Sequence, residues 1–241
     1  MSVNGQRSVF KVGVGGPVGS GKTALIEALI PMTIERGFSP VVVTNDIYTQ
    51  LDAEHVRAAL DGILSADRVV GVETGSCPHT AVRDDPTANI AAMEELLEKF
   101  PDANLLFLES GGDNLTLTFS PTLVDAYIFV IDVAEGDDIP RKKGPGITHS
   151  DLLVINKVDL APYVRVDLDV MRAGAESARP DGSPYVMTNS LTGEGLEAVM
   201  EFIAETSKTG RAHEIRELLD ALPPHDHSHS HEHEHDHAHT H

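Results

Sequence analysis

Tryptophan is absent from the 241 residues, cysteine occurs once, and aromatic residues make up only 5% of the chain. A single cysteine excludes an intramolecular disulfide framework and suits a reducing compartment. Basic residues are few beside acidic ones, 18 against 38, for a formal net charge of −20. That balance argues against general nucleic-acid binding, which needs basic surface to neutralise phosphates. It argues equally against docking on an anionic membrane. No apolar run approaches membrane-spanning length. The opening stretch MSVNGQRSVFKVGVGG has no long apolar core followed by a cleavage site, so no secretory signal is expected. The expectation is a cytoplasmic chain with neither nucleic acid nor membrane as partner. One bound nucleotide remains compatible with the charge, because a local nest of backbone amides holds phosphate within an acidic protein.

Hydrophobic residues account for 41% of the chain, enough for a full core. Apolar, β-branched runs occur at residues 9–14, 40–45, 68–73, 104–110, 126–132, 151–157 and 184–189. Several are apolar on consecutive residues, as strands are when both sheet faces are covered. Helical patterns lie between them at residues 23–36, 53–60, 87–100 and 195–205, with another at about 211–222. The alternation predicts an α/β fold: a mostly parallel sheet with helices on both faces. Beyond LPPHDH the composition changes. Residues 225–241 read HDHSHSHEHEHDHAHTH, with histidine at every odd position. Such a segment has almost nothing to bury, and disorder without metal is expected. The boundary is placed near Pro223–Pro224, giving a domain at 1–222 and a tail at 223–241.

GPVGSGKT, residues 16–23, fits G-x-x-x-x-G-K-[ST] between a strand and a helix. Gly16, Pro17, Val18, Gly19, Ser20 and Gly21 form a loop whose N–H groups can converge on phosphate, with the helix N-terminus adding partial positive charge. Lys22 is placed to reach the β- and γ-phosphates, and Thr23 to offer its hydroxyl to Mg²⁺. NKVD, residues 156–159, follows a later strand. One carboxylate, Asp159, can accept from both the N1–H and the exocyclic amine of guanine, a donor pair that adenine lacks. Asn156 would support the base pocket and the Lys157 stem would cover the ring. The expected ligand is therefore GTP. Strand ends supply the acids that hydrolysis needs: Asp46, Glu73 and Glu109, the last in E-S-G-G, where the Gly112 N–H suits the γ-phosphate. No glutamine or arginine finger is evident, so slow intrinsic hydrolysis is expected.

The single cysteine, Cys77, lies two residues before His79 in ETGSCPHT. A thiolate and an imidazole are metal ligands, but two cannot complete a transition-metal shell, and a lone cysteine is often a small buried hydrophobe. The nine tail histidines, His225, His227, His229, His231, His233, His235, His237, His239 and His241, would share borderline dications as a Ni²⁺ reservoir.

Taken together, GVGGPVGSGKTAL, VVTNDIYT, VGVETGSCPHTAVRDD, ESGGDNL, FVIDVAEGDDIPRKKGPGIT and LVINKVDLAPYV resemble the UreG family of urease accessory GTPases, in the SIMIBI class of P-loop NTPases. The resemblance covers roughly residues 8–205. It implies a GTPase that helps deliver nickel to the urease active site, with dimerisation coupled to GTP and Ni²⁺. It further implies work beside other urease accessory proteins (UreD/UreH, UreF, UreE) and apo-urease. The C-P-H motif then becomes a nickel site, with Cys77 and His79 facing the same pair from a second copy, as an isologous dimer allows. Thr23, Asp46 and Glu73 would hold Mg²⁺. Three residues depart from the family pattern: Ser76 and Lys143 stand where glycines are expected, and Val158 where threonine is. The other readings are a related nickel GTPase of hydrogenase maturation, and a nickel-storage protein acting through its tail.

Overall fold

The computed structural model describes residues 9–46, 51–74, 80–112 and 114–209. Seven strands form one sheet: β1 (Phe10–Gly15), β2 (Pro40–Asp46), β3 (Val69–Glu73), β4 (Leu105–Glu109), β5 (Ala126–Asp132), β6 (Leu152–Asn156) and β7 (Tyr185–Met187). Their order is β3-β2-β4-β1-β5-β6-β7, and every neighbouring pair is parallel. The helices are α1 (Lys22–Glu35), α2 (Leu51–Ala59), α3 (Thr87–Lys99), α4 (Pro145–His149), α5 (Ala161–Val164), α6 (Leu168–Ala178) and α7 (Leu196–Thr209). All seven predicted strands are present within a residue or two of their expected bounds. Helices α4, α5 and α6 are additions to the sequence expectation. The predicted helix at 211–222 and the tail lie outside the described residues.

Parallel strands need both faces covered, and the side-chain alternation divides the core accordingly. Val12, Val14, Phe107, Ile128, Val130 and Val154 meet Leu25, Ile26 and Leu29 of α1, with Val199 and Phe202 of α7, on one face. Leu106, Leu108, Phe129, Ile131 and Ile155 meet Met93 and Leu96 of α3, with Met171 and Ala175 of α6, on the other. Both sets are fully buried or nearly so. Strand β5 is buried at every position, which is why its pattern is a continuous apolar run.

This packing aims the carboxyl ends of the strands at one edge of the sheet. The chain leaves β1 for β2 through β4's side of the sheet, whereas β5 lies on its other side, so the strand order reverses at β1. Ligands of open α/β sheets bind in the crevice at such a reversal.

Candidate functional site

The loop between β1 and α1 occupies this crevice. Gly16, Gly19 and Gly21 take φ of 147°, 83° and 96°, values open to glycine and costly for other residues. At Gly21 there is a second reason: an added Cβ would collide with the Asn156 amide. Lys22 is buried and donates from Nζ to the Pro17 carbonyl at 3.0 Å. Ser20 is fully buried with no hydrogen-bond partner for its hydroxyl. Val18 is 81% exposed and touches the position that a side chain at Gly112 would fill, so the E-S-G-G segment packs directly on the loop. Gly112 has φ of 85°.

The base motif joins the loop by hydrogen bonds. Asn156, buried at the end of β6, donates from Nδ2 to the Ser20 carbonyl at 3.1 Å. Its Oδ1 accepts from Thr188 Oγ1 at 3.1 Å, Ser190 N at 3.2 Å and Ser190 Oγ at 3.0 Å. A trans peptide points its C=O and N–H in opposite directions, so holding the Ser20 carbonyl turns the Gly21 N–H toward the far side of the loop. Lys157 is left-handed, with φ of 61°, and its Nζ donates to the Gly19 carbonyl. Asp159 is exposed in the following turn, Val158–Leu160. The 188–195 loop is tied by Asn189, whose Oδ1 accepts from Leu191 N at 3.0 Å and Thr192 N at 3.3 Å.

On the other side of Lys22 the groups are acidic. Thr23 Oγ1 donates to Glu109 Oε1 at 2.6 Å, while Glu109 Oε2 has no hydrogen-bond partner and the residue is 1% exposed. Burial pushes the Glu109 carboxyl up to about 7; Lys22 and the Thr23 hydroxyl oppose the rise, while Asp52 and Glu27 add to it. Asp46 and Glu73 are register partners at the ends of β2 and β3, and Glu73 is exposed. Thr74 donates from both N and Oγ1 to the Asp46 carbonyl, at 2.9 and 3.1 Å. Hydroxyl and carboxylate oxygens are the donor set of a hard cation, not a soft one. The orphaned Glu109 oxygen beside the Thr23 hydroxyl fits that chemistry.

Sequence reading missed four acids here. Burial raises the Glu27 carboxyl, and His55 Nε2, 3.5 Å from its Oε1, works against the rise. Asp52 is raised by burial and then by Asp46, with Lys22 and His55 opposing, which places these charges in one neighbourhood. Glu27 follows Thr23 by one helical turn, a spacing legible in the sequence. Asp132 ends β5 as the other candidate acids end their strands, and its Oδ2 accepts from Lys157 Nζ at 2.8 Å. Beside it, burial and then Asp132 push the Glu135 carboxyl up to about 7. The sequence-predicted nickel ligands Cys77 and His79 lie outside the described residues, as do all nine tail histidines. No group of three or more metal-ligating side chains arranged for a metal ion occurs among the described residues. No described helix is long and apolar enough to cross a membrane.

Residues 10–184 match the family profile of the CobW/HypB/UreG nucleotide-binding domain. Urease accessory protein UreG 2 of Streptomyces griseus is 63% identical over 201 residues, spanning 83% of this chain and 89% of that protein. Urease accessory protein UreG of Edwardsiella ictaluri is 59% identical over 197 residues, spanning 82% and 94%. Among solved structures, hydrogenase maturation factor HypB from Archaeoglobus fulgidus superposes with a TM-score of 0.63 at 27% identity, covering 83% of this chain and 90% of that one. HypB from Helicobacter pylori, solved in complex with nickel, gives 0.68 at 20% identity over 84% and 89%, a likeness of fold.

Proposed function

We infer from its membership of the CobW/HypB/UreG family, in which its 56–63% identical relatives are urease accessory proteins, that this chain is a GTP-hydrolysing metallochaperone for urease. It is a P-loop GTPase that serves nickel delivery in urease maturation. The reading is carried by the hydrogen bond from Asn156 to the Ser20 carbonyl, which joins the guanine motif and the phosphate loop into one site. Hydrogenase maturation is the weaker reading, since the similarity to a hydrogenase factor is 27% where that to urease proteins reaches 63%.

In this site Asp159 accepts from the guanine edge, and the Lys157 stem lies over the base. Gly16, Pro17, Val18, Gly19, Ser20 and Gly21 wrap the phosphates, with Lys22 on the β- and γ-oxygens and the Gly112 N–H toward the terminal phosphate. Thr23, Asp46 and Glu73 hold Mg²⁺, which supplies charge neutralisation at the phosphates when bound. Glu109 accepts the Thr23 hydroxyl hydrogen bond, which would leave the hydroxyl's lone pairs available to the metal ion.

Nickel is cargo, held by Cys77 and His79 of two chains in a homodimer that forms with GTP. Further partners are UreD/UreH, UreF, UreE and apo-urease, in the cytoplasm. The domain ends near residue 222, and the tail adds a store of Ni²⁺ on its alternate histidines. Truncation after Pro224 is expected to keep GTP hydrolysis while lowering the number of Ni²⁺ bound per chain, measured by calorimetric titration.

Light scattering with and without Ni²⁺ and Mg-GTP tests the function. A dimer that needs both is expected, and the Cys77→Ala variant should remain monomeric because it removes a ligand from each half of the shared site. A Cys77→Ala protein that dimerises on nickel as the parent does would rule the shared site out.

A further inference from the structure

We propose that Asp132 is a positioning residue for guanine nucleotides: its buried carboxylate holds the Lys157 ammonium on the Gly19 carbonyl, so that base loop and phosphate loop are fixed as one unit. The proposal deepens the GTP-site reading and rests on it.

Asp132 ends β5 directly beside Asn156, its register partner at the end of β6. Its side chain is 6% exposed, and each oxygen has an assignment. Oδ2 accepts from Lys157 Nζ at 2.8 Å, and Oδ1 accepts from Ala134 N at 2.6 Å. The Glu135 carboxyl closes the turn by accepting from Asp132 N at 3.3 Å. The carboxylate therefore has little freedom to rotate, and the ammonium it binds inherits that order. Lys157 needs such an anchor. It is a non-glycine residue in the left-handed region, with a long side chain that is one-third exposed and would otherwise sample many rotamers. Its ammonium has two recipients, Asp132 Oδ2 and the Gly19 carbonyl. The chain of contacts runs from the β5 turn through Lys157 to the phosphate loop, parallel to the Asn156–Ser20 bond one residue away.

A side chain held this way presents its stem as a ready-made surface for the base, and it fixes the Gly19 peptide before nucleotide arrives. Without Asp132 the ammonium can leave for solvent, and both surfaces loosen together. The loss falls on binding of GTP and GDP alike, since neither Lys157 nor Gly19 distinguishes the terminal phosphate.

The test uses the full chain with fluorescent mant-GDP and mant-GTP, followed through association, release and steady-state hydrolysis. Asp132→Ala is expected to weaken both nucleotides about tenfold through faster release, the scale of one charge-assisted hydrogen bond. KM for GTP should rise accordingly, with kcat at saturation within about threefold of the parent, as follows when only uniform binding is lost. Asp132→Asn, which keeps an acceptor, should recover part of the affinity. Lys157→Met should weaken binding, and adding Asp132→Ala to it should weaken it no further. Should Asp132→Ala fail to fold, the Asp132→Asn and Lys157→Met pair carries the same cycle. Additive losses in the double variant, or an Asp132→Ala protein that binds mant-GDP as the parent does, would overturn the positioning role while leaving the GTP site intact. A parent chain that binds neither nucleotide would overturn the site itself and this proposal with it.

Discussion

The two sides of Lys22 are built on opposite principles. Toward the base, the polar groups are matched: Asn156 bonds Ser20, Thr188 and Ser190, and Lys157 bonds Asp132 and Gly19. Toward Glu109 and Glu27, charge is buried without an equal number of partners. Glu109 Oε2 and Glu27 Oε1 lack hydrogen bonds, whereas Glu135 on the base side, which burial likewise pushes up to about 7, accepts from Asp132 N. A buried polar group that is paired stiffens its surroundings, whereas an unpaired acid carries a desolvation cost that a cation removes. The base side is therefore preorganised for a neutral ring, and the acid side gains most from added positive charge.

The largest effect should come from the residue between the two sides. Lys22→Ala removes the charge that meets the transferring phosphoryl, and GTP turnover should fall about 10²–10³-fold. Phosphate-release kinetics measure it, and turnover within a few-fold of the parent would mean the chemistry lies elsewhere.

Glu109→Gln isolates the acid side. It leaves an acceptor for the Thr23 hydroxyl but removes the charge, so the Mg²⁺ concentration for half-maximal turnover should rise about 10–100-fold, as for other second-layer ligands. Stability should move oppositely. A carboxyl whose folded pKa lies above its ordinary value binds more protons in the folded chain than in the unfolded one between about 4.5 and about 7. Its contribution to stability is therefore lost as pH rises through that window and stays lost above it. Thermal melts of the nucleotide- and Mg²⁺-free protein from pH 4.5 to 8 should show a shallower decline for Glu109→Gln than for the parent. Parallel declines would show that burial of this acid carries no cost.

Asp159→Ala isolates the base side. The guanine N1–H and amine lose their acceptor, so preference for GTP over ATP should shrink by about 1–3 kcal/mol. Competition binding reads this, and the Mg²⁺ dependence should remain that of the parent. A shift in Mg²⁺ dependence would break the division between the two sides.

The smallest effect lies away from the site. Lys143 holds φ of 53° and ψ of 38° at the end of the turn Pro140–Lys142, where the family resemblance led glycine to be expected. The left-handed backbone explains that expectation, since a Cβ costs about 1–2 kcal/mol there. Lys143→Gly should raise the melting temperature by a few degrees less the added unfolded-state entropy, with GTP turnover unchanged.

Much of this architecture was legible in the sequence. The strands were, because burial on both faces demands consecutive apolar residues, as AYIFVID in β5 illustrates. The phosphate loop and Asn156 were, because their chemistry fixes residue types at short spacing. Helix α6 is harder to read: its buried residues Met171, Gly174, Ala175 and Ala178 do recur at helical spacing, but all except Met171 are small, and Gly174 lies close against Pro140 and Arg141, so the stripe carries little hydrophobic weight. Its N-cap, Asp167, accepting from Asp169 N and Val170 N, was the available signal. Asp52 and His55 enter the site through tertiary packing of α2 on the sheet, which no local spacing records. Asp132 was within reach, since the strand-end argument applied to Asp46, Glu73 and Glu109 applies to it unchanged.

The coupling of GTP hydrolysis to nickel delivery is tested most directly by activating apo-urease with purified accessory proteins, Ni²⁺ and this chain. Urease activity should appear with GTP, and should be absent with a non-hydrolysable GTP analogue or with Lys22→Ala in place of the parent. Equal activation in all three would contradict a role for hydrolysis in nickel delivery.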